Sequence, residues 1–269
     1  MRYAISHTVN QIEKFIYKKQ HCIGLFLDIQ AAFDTISPTY IRDCLHEKDI
    51  DSDAIAWYYD YLTHRNLQTD ITGYKGRVSI GTGFPQGGVC SAKFWIIAFD
   101  KAIQIINSGT TTGYGFADDI CILAGGTDIN NSINIIQHKI YLLTKWGSTC
   151  GLLFSPSKSI PVIFKPGNKA ISPTRKLSIY GKALEYASST RYLGVILDDR
   201  LTWAPHWQEK IPTNLNYLRV LANKMKQLHG PKPRLMKWVY TGIIRPRLAY
   251  GSMIWSNCKK IEDNAETII

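Results

Sequence analysis

The stretch Tyr114-Gly115-Phe116-Ala117-Asp118-Asp119-Ile120-Cys121-Ile122-Leu123 decides how this chain is read. Two short apolar runs, residues 114–116 and 120–123, flank Ala117-Asp118-Asp119, which predicts a hairpin with two acids at its tip. A second run, Gly24-Leu25-Phe26-Leu27-Asp28, has the length of a buried strand and ends on one acid. Ionised carboxylates are costly in apolar surroundings unless they are paired, hydrogen-bonded or held by a cation. Adjacent acids repel, so a divalent cation between strands is the economical partner for Asp118 and Asp119. If both strands belong to one sheet, Asp28 can share that cation. Ordinary Asp residues also collect in turns, and taken alone neither signal is specific.

Working outward, residues 4–19 read as a helix with Ile5, Val9, Ile12 and Ile16 on one side. Ser37-Pro38 supplies an N-cap and a proline at the first helical position, opening a helix to about Lys48. Ser52 caps a second helix, with Ile55, Tyr58, Tyr59 and Leu62 at helical spacing. Residues 68–80 predict paired strands turning at Gly73 and Gly76. The loop Gly81-Thr82-Gly83-Phe84-Pro85-Gln86-Gly87-Gly88 feeds a helix over 91–107, and a long amphipathic helix covers 129–146. Strands follow at 152–154, 160–164, 177–180 (turning at Gly181 towards Glu185) and 191–197. Beyond Trp203 the period is helical, over 204–227, 233–244 and 246–255. The boundary falls near 198–203, between a mixed α+β part and a basic helical part.

With 45% hydrophobic and 20% charged residues in 269, the chain has a globular composition, not a disordered or fibrous one. Its apolar runs are strand-sized, well short of the ~18 residues of a membrane span. Met1-Arg2-Tyr3-Ala4-Ile5-Ser6-His7 holds no signal-peptide core, so neither membrane insertion nor secretion is expected. Six cysteines lack CxxC spacing, which suits a reduced intracellular protein better than a disulfide scaffold or zinc site. The net charge of +11 is concentrated: residues 210–260 hold eleven Lys or Arg and no acid, interleaved with Tyr217, Trp238, Tyr240, Tyr250 and Trp255. Such a block suits a polyanion, with cations on phosphates and rings on sugars or bases. A solvated helix face above an aromatic core face is the other reading of the same pattern.

Taken in order, the segments resemble the motifs of reverse transcriptases. Leu27-Asp28-Ile29-Gln30-Ala31-Ala32-Phe33-Asp34-Thr35-Ile36 resembles motif A, and Phe84-Pro85-Gln86-Gly87-Gly88-Val89-Cys90-Ser91 resembles motif B. Phe116-Ala117-Asp118-Asp119 is similar to motif C, and Gly151-Leu152-Leu153-Phe154-Ser155-Pro156-Ser157-Lys158-Ser159 to motif D. Tyr192-Leu193-Gly194-Val195-Ile196-Leu197-Asp198 resembles the primer-grip region. With Leu201-Thr202-Trp203 and the basic helical end, the likeness is greatest to the polymerases of non-LTR, LINE-like (jockey-type) retrotransposons. It covers essentially the whole chain. The implied fold is α+β: a palm of antiparallel sheet backed by helices, with residual fingers elements, over residues 1–199. An all-helical, basic, thumb-like region is implied over 200–269.

The resemblance also implies roles. Asp28, Asp118 and Asp119 would hold two Mg²⁺ ions, with Mn²⁺ as a substitute and the Ile29 carbonyl as a further ligand. Phe33 would crowd the sugar 2′-position; core packing beside Ala31 and Ala32 is its competing role. Gln86 and Gly87 would lie near the incoming nucleotide and template. Lys158 would approach the triphosphate and protonate the leaving pyrophosphate, a solvated turn lysine being the rival. Asp34 reads as structural, near Thr35 and Ser37. Lys224, Lys226, Arg234 and Lys237 would bind nucleic acid. The implied partners are an RNA template, a DNA primer and deoxynucleotide triphosphates, without a membrane, and the element type implies a nuclear location. Nothing in the sequence sets an oligomeric state.

Phe116 stands where motif C usually has Tyr, and Ser155 where motif D often has Asn. Gly113 and Gly115 are expected to loosen the strand before the acids. Only 27 residues precede Asp28, so the upstream fingers strands, an endonuclease and a recognisable RNase H are missing, and the chain reads as a fragment or degenerate copy. Two function classes therefore compete: an RNA-directed DNA polymerase, and an incomplete or domesticated remnant that binds nucleic acid without polymerising. A haloacid-dehalogenase-type phosphatase would want a second acid where Gln30 stands.

Overall fold

The apolar stripe of Ile5, Val9 and Ile12 makes Arg2–Tyr17 an amphipathic helix, α1, with those three side chains buried. Next, β1 (His21–Gln30) is buried at every position except Asp28 and Gln30. After the short α2 (Ala32–Thr35), α3 (Pro38–His46) begins as the sequence predicts: the Ser37 hydroxyl accepts from the Tyr40 N–H, and Pro38 fills the first turn. For α4 (Ser52–Thr63) the cap is Asp51, one residue before the expected Ser52. The Asp51 carboxylate accepts from the Asp53 and Ala54 N–H groups. Two donors are thereby satisfied at once, which the Ser52 hydroxyl, already inside the helix, does not do.

β2 (Arg65–Ile71) and β3 (Tyr74–Ile80) pair in full register across Thr72-Gly73, so Gly76 lies in a strand opposite Thr69 and not in the turn. α5 (Ser91–Asn107) has its predicted bounds. β4 (Thr112–Phe116) and β5 (Asp119–Gly126) form the predicted hairpin, paired from Thr112↔Leu123 to Phe116↔Asp119. Gly113 and Gly115 do not loosen it. A Cβ on Gly113 would lie 2.1 Å from Ile106 Cγ2, and one on Gly115 2.6 Å from a Phe99 ring carbon. Both glycines let α5 lie hard against β4. α6 (Ile129–Cys150) runs about a turn beyond its expected end, to Gly151, whose φ of +78° closes the helix.

β6 (Leu153–Phe154), β7 (Ile160–Phe164), β8 (Ser178–Ile179) and β9 (Lys182–Ala183) are short. The single strand expected over 191–197 is a hairpin instead, β10 (Ser189–Tyr192) and β11 (Val195–Asp198). Its turn, Leu193-Gly194, has φ of +46° and +81°. α7 (Ala204–Lys226) follows. The last two expected helices are each interrupted: α8 (Pro233–Val239) passes into a π-helical turn at Tyr240–Ile244, and α9 (Arg245–Ala249) is separated from α10 (Ser252–Trp255) at Tyr250-Gly251.

The computed structural model describes residues 2–167, 171, 173–226 and 233–255. They form two compact units. One comprises the described residues of Cys22–Pro161 and Ser172–Tyr186; the other comprises those of Met1–His21, Val162–Ile171 and Ala187–Ile269. In the first, the sheet path runs β4-β5-β1-β6, with β1 and β6 antiparallel at Ile29↔Phe154. The strand carrying Asp28, which runs on to Gln30, therefore neighbours the hairpin carrying Asp118 and Asp119, and the fold is mixed α+β with an antiparallel sheet backed by α5 and α6. Among the described residues no helix is long and apolar enough to cross a membrane.

Candidate active site

Asp28 is the one acid in an otherwise apolar strand, and motif D holds it from the side. Its carbonyl accepts from the Ser155 N–H at 2.9 Å, and its own N–H donates to Ser159 Oγ at 3.4 Å. The Ser159 hydroxyl donates onward to the Ser155 carbonyl at 2.6 Å, closing the turn that carries Lys158. Ser155 holds Asp28 through its backbone, while its hydroxyl shares a hydrogen bond with Ser157 Oγ at 3.2 Å. Lys158 Nζ lies 3.6 Å from Asp28 Oδ2, on a largely exposed side chain. That oxygen is buried and has no hydrogen-bond partner. A buried carboxyl oxygen facing only a loosely held ammonium is poorly satisfied, which suits a ligand for a hard cation.

Asp118 and Asp119 lie exposed at the β4–β5 turn, with Asp119 paired opposite Phe116. The Asp119 carboxyl is held above the usual carboxylate range, first by partial burial and then by the negative charges of Asp118 and Asp28. Asp28 and the adjacent pair Asp118-Asp119, distant in sequence, therefore share one electrostatic field. They are not closed into a chelate: among the described residues no three His, Cys, Asp or Glu side chains are gathered tightly enough to hold an ion. The oxygen donor set, the orphaned Asp28 Oδ2 and the raised Asp119 fit a hard divalent cation.

The loop before α5 packs onto the turn after β1. The Gly83 N–H donates to the Ile36 carbonyl at 2.9 Å, and the Thr82 hydroxyl to the Asp34 carbonyl at 3.2 Å. Gln86 Nε2 donates to Asp34 Oδ1 at 3.2 Å. Asp34 is structural as expected, but its side chain joins Gln86, not Thr35 or Ser37. Gln86 and Gly87 are exposed, and Gly87 has φ of +83°. Phe33 is half-buried and stacks on Trp95 at 5.1 Å, so it packs and borders solvent at once. Ile29 is buried opposite Phe154.

Sequence reasoning missed Trp95. This buried residue of α5 donates its Nε1–H to the Ala117 carbonyl at 2.8 Å, inside the carboxylate turn. Its spacing, four residues before Phe99, reads only as a core stripe. Of the basic residues expected to bind nucleic acid, Arg234 and Lys237 are exposed on α8, in the other unit. The side chains of Lys224 and Lys226 lie outside the described residues.

A sheet that sets one acid on a strand beside two more in a neighbouring hairpin, flanked by a glycine loop and a lysine turn, defines a polymerase-type palm. The chain belongs to the reverse transcriptase (RNA-dependent DNA polymerase) family, whose model matches residues 3–197. It is 23% identical over 240 residues to a putative 115 kDa protein in the type-1 retrotransposable element R1DM of Drosophila melanogaster, covering 88% of this chain and 22% of that protein. It is also 23% identical over 277 residues to the RNA-directed DNA polymerase from mobile element jockey of the same species, covering 98% of this chain and 29% of that one. The chain thus spans less than a third of the length of these two relatives. A solved apo telomerase of Candida tropicalis, truncated from its C-terminal domain, superposes with a TM-score of 0.50 at 12% identity, over 72% of this chain and 38% of that chain. That likeness shows the fold.

Proposed function

We propose that this chain is the catalytic part of a non-LTR retrotransposon RNA-directed DNA polymerase, extending a DNA primer on an RNA template with deoxynucleotide triphosphates. The observation that carries the reading is the shared field of Asp28, Asp118 and Asp119, joined to an Asp28 oxygen with no hydrogen-bond partner. Those three carboxylates would hold two divalent ions, which when bound lower the pKa of a primer 3′-hydroxyl and neutralise triphosphate charge. Asp28 would supply Oδ2 and Asp118 and Asp119 their carboxylate oxygens, with the Ile29 carbonyl as a further ligand. In the metal-free chain Lys158 neutralises Asp28, and its long exposed stem lets it turn to a leaving pyrophosphate and give it a proton. Phe33, braced on Trp95, presents a ring edge to the sugar. Gln86, steadied by Asp34, lies by the incoming nucleotide, with Gly87 leaving room for close approach.

Residues 1–199 serve as palm with residual fingers elements, and 200–269 as a thumb that holds the duplex through Arg234, Lys237, Lys224 and Lys226. A nuclear site of action is part of this proposal, inferred from the element type alone. Primer extension on poly(rA)/oligo(dT) tests the reading. Mg²⁺-dependent incorporation, abolished by Asp118→Asn, supports it. Salt-sensitive binding without incorporation would leave a remnant that holds nucleic acid and does not copy it.

A further inference from the structure

The turn that carries the two acids holds a strained residue. Ala117 has φ of +55°, in the left-handed region that a residue with a Cβ occupies only where its surroundings hold it. The Phe116↔Asp119 pair closes the turn around it, and its carbonyl accepts a side-chain hydrogen bond from Trp95 Nε1–H at 2.8 Å. The indole itself is fixed. It is 3% exposed and stacks with Phe33 at 5.1 Å and Phe99 at 5.4 Å. Phe99 meets Trp146 edge-on at 5.9 Å, and Trp146 donates to the Tyr40 hydroxyl at 2.8 Å. That hydroxyl donates to the Ala98 carbonyl at 3.2 Å. The donor aimed at the carboxylate turn is thus anchored in a ring framework spanning α3, α5 and α6.

We infer that Trp95 is a positioning residue: its indole N–H clamps the Ala117 carbonyl and so fixes the backbone of the turn that carries Asp118 and Asp119, the acids assigned to the cation. The inference rests on the metal-dependent reading above and adds a residue to it. Glycine at position 117 would take the left-handed conformation unaided, so a strained alanine makes the clamp necessary. Because the same ring stacks with Phe33, the residue assigned to the sugar and the turn assigned to the metal share one support.

Trp95→Phe keeps the stacking and removes only the donor. In the metal-free chain the amide NMR signals of Asp118 and Asp119 are expected to move in Trp95→Phe and to return towards their original positions when Ala117→Gly is added. In a Mn²⁺ titration of primer extension, half-saturation is expected to rise about fivefold in Trp95→Phe, as for one lost hydrogen bond, with KM for template–primer unchanged. The same substitution made in an Ala117→Gly background should shift it less than about twofold, since little strain is left to clamp. Unmoved turn amides, or an equal metal shift in both backgrounds, would overturn the inference. If Trp95→Phe does not fold, hydrogen exchange of the indole in the unmutated chain decides. Slow exchange supports the clamp, whereas exchange as fast as at Trp57 and Trp238, which are 69% and 62% exposed, refutes it. A chain that takes up no Mn²⁺ would end the polymerase reading, while the amide signals would still decide on the clamp.

Discussion

At the scale of single residues, the candidate site is a set of charges held in an unfavourable arrangement. The Asp119 carboxyl is raised by partial burial and by its two acidic neighbours, so ionising it costs the folded chain more than the unfolded one. Between the ordinary carboxylate pKa and the raised one the native state binds the extra proton, and stability falls as pH rises through that window. At neutral pH the metal-free chain therefore carries the full repulsion. Asp119→Asn is expected to raise the thermal midpoint in EDTA while abolishing incorporation. In the unmutated chain, Mg²⁺ or Mn²⁺ should raise the midpoint at pH 7.5 and lose that effect as acid protonates Asp119. A variant that lowers the midpoint in EDTA would show that the carboxylate is structural. These acids were legible in the sequence because a lone charge in an apolar strand calls for an explanation. Trp95 was not, because a tryptophan that packs and a tryptophan that also aims its N–H have the same pattern.

At the scale of elements, two close fits carry the architecture. Gly83, φ +73°, lies so near the turn after β1 that an added Cβ would come within 2.5 Å of the Phe33 and Asp34 carbonyl oxygens. Backbone oxygens cannot yield as a side chain would, so Gly83→Ala should cost about 1–3 kcal/mol and lift the loop off Asp34. Calorimetry reads the first effect and a raised nucleotide KM the second. In the other unit, His206 is buried and its Nδ1 accepts from the Ile196 N–H at 3.3 Å, tying α7 to β11. Burial, then Lys210 and Arg191 against the opposing Glu209, pushes this imidazole down to about 4. The unfolded chain protonates it near 6.5, so its contribution is complete above that pH and is lost as pH falls from 6.5 to 4. The whole effect amounts to roughly 3 kcal/mol. Denaturant unfolding at pH 7.5 and 5 should show the loss, and His206→Gln should flatten it. The sequence predicted long elements such as α5 from periodicity, yet it missed the break at Leu193-Gly194. Glycine after leucine looks tolerable in a strand until both residues must take positive φ.

At the scale of the whole molecule, order and charge were the legible quantities, whereas geometry between distant segments was not. Five short segments in one order pointed to the fold that the sheet path and the family match then showed. Nothing in that order says that Asp34 holds Gln86, or that Lys158 rests against Asp28, because hydrogen bonds across 52 residues and an ion pair between motifs A and D exist only after packing. Charge, by contrast, is additive and needs no packing. The acid-free block from Lys210 to Lys260 accounts for a surplus equal to the net charge of +11, and Arg234 and Lys237 within it are exposed on one short helix. If these cations sit on phosphates, each releases counterions on binding, and affinity for a duplex falls with salt by roughly 0.9 log units per tenfold salt for each contact. Replacing both with Gln should weaken template–primer binding and make that slope shallower by about 2, read by fluorescence anisotropy across a salt series. An unchanged slope would mean that the two side chains only solvate their helix. The duplex would then have to be held by other cations of the block, and the proposed thumb would lose α8 as a contact surface.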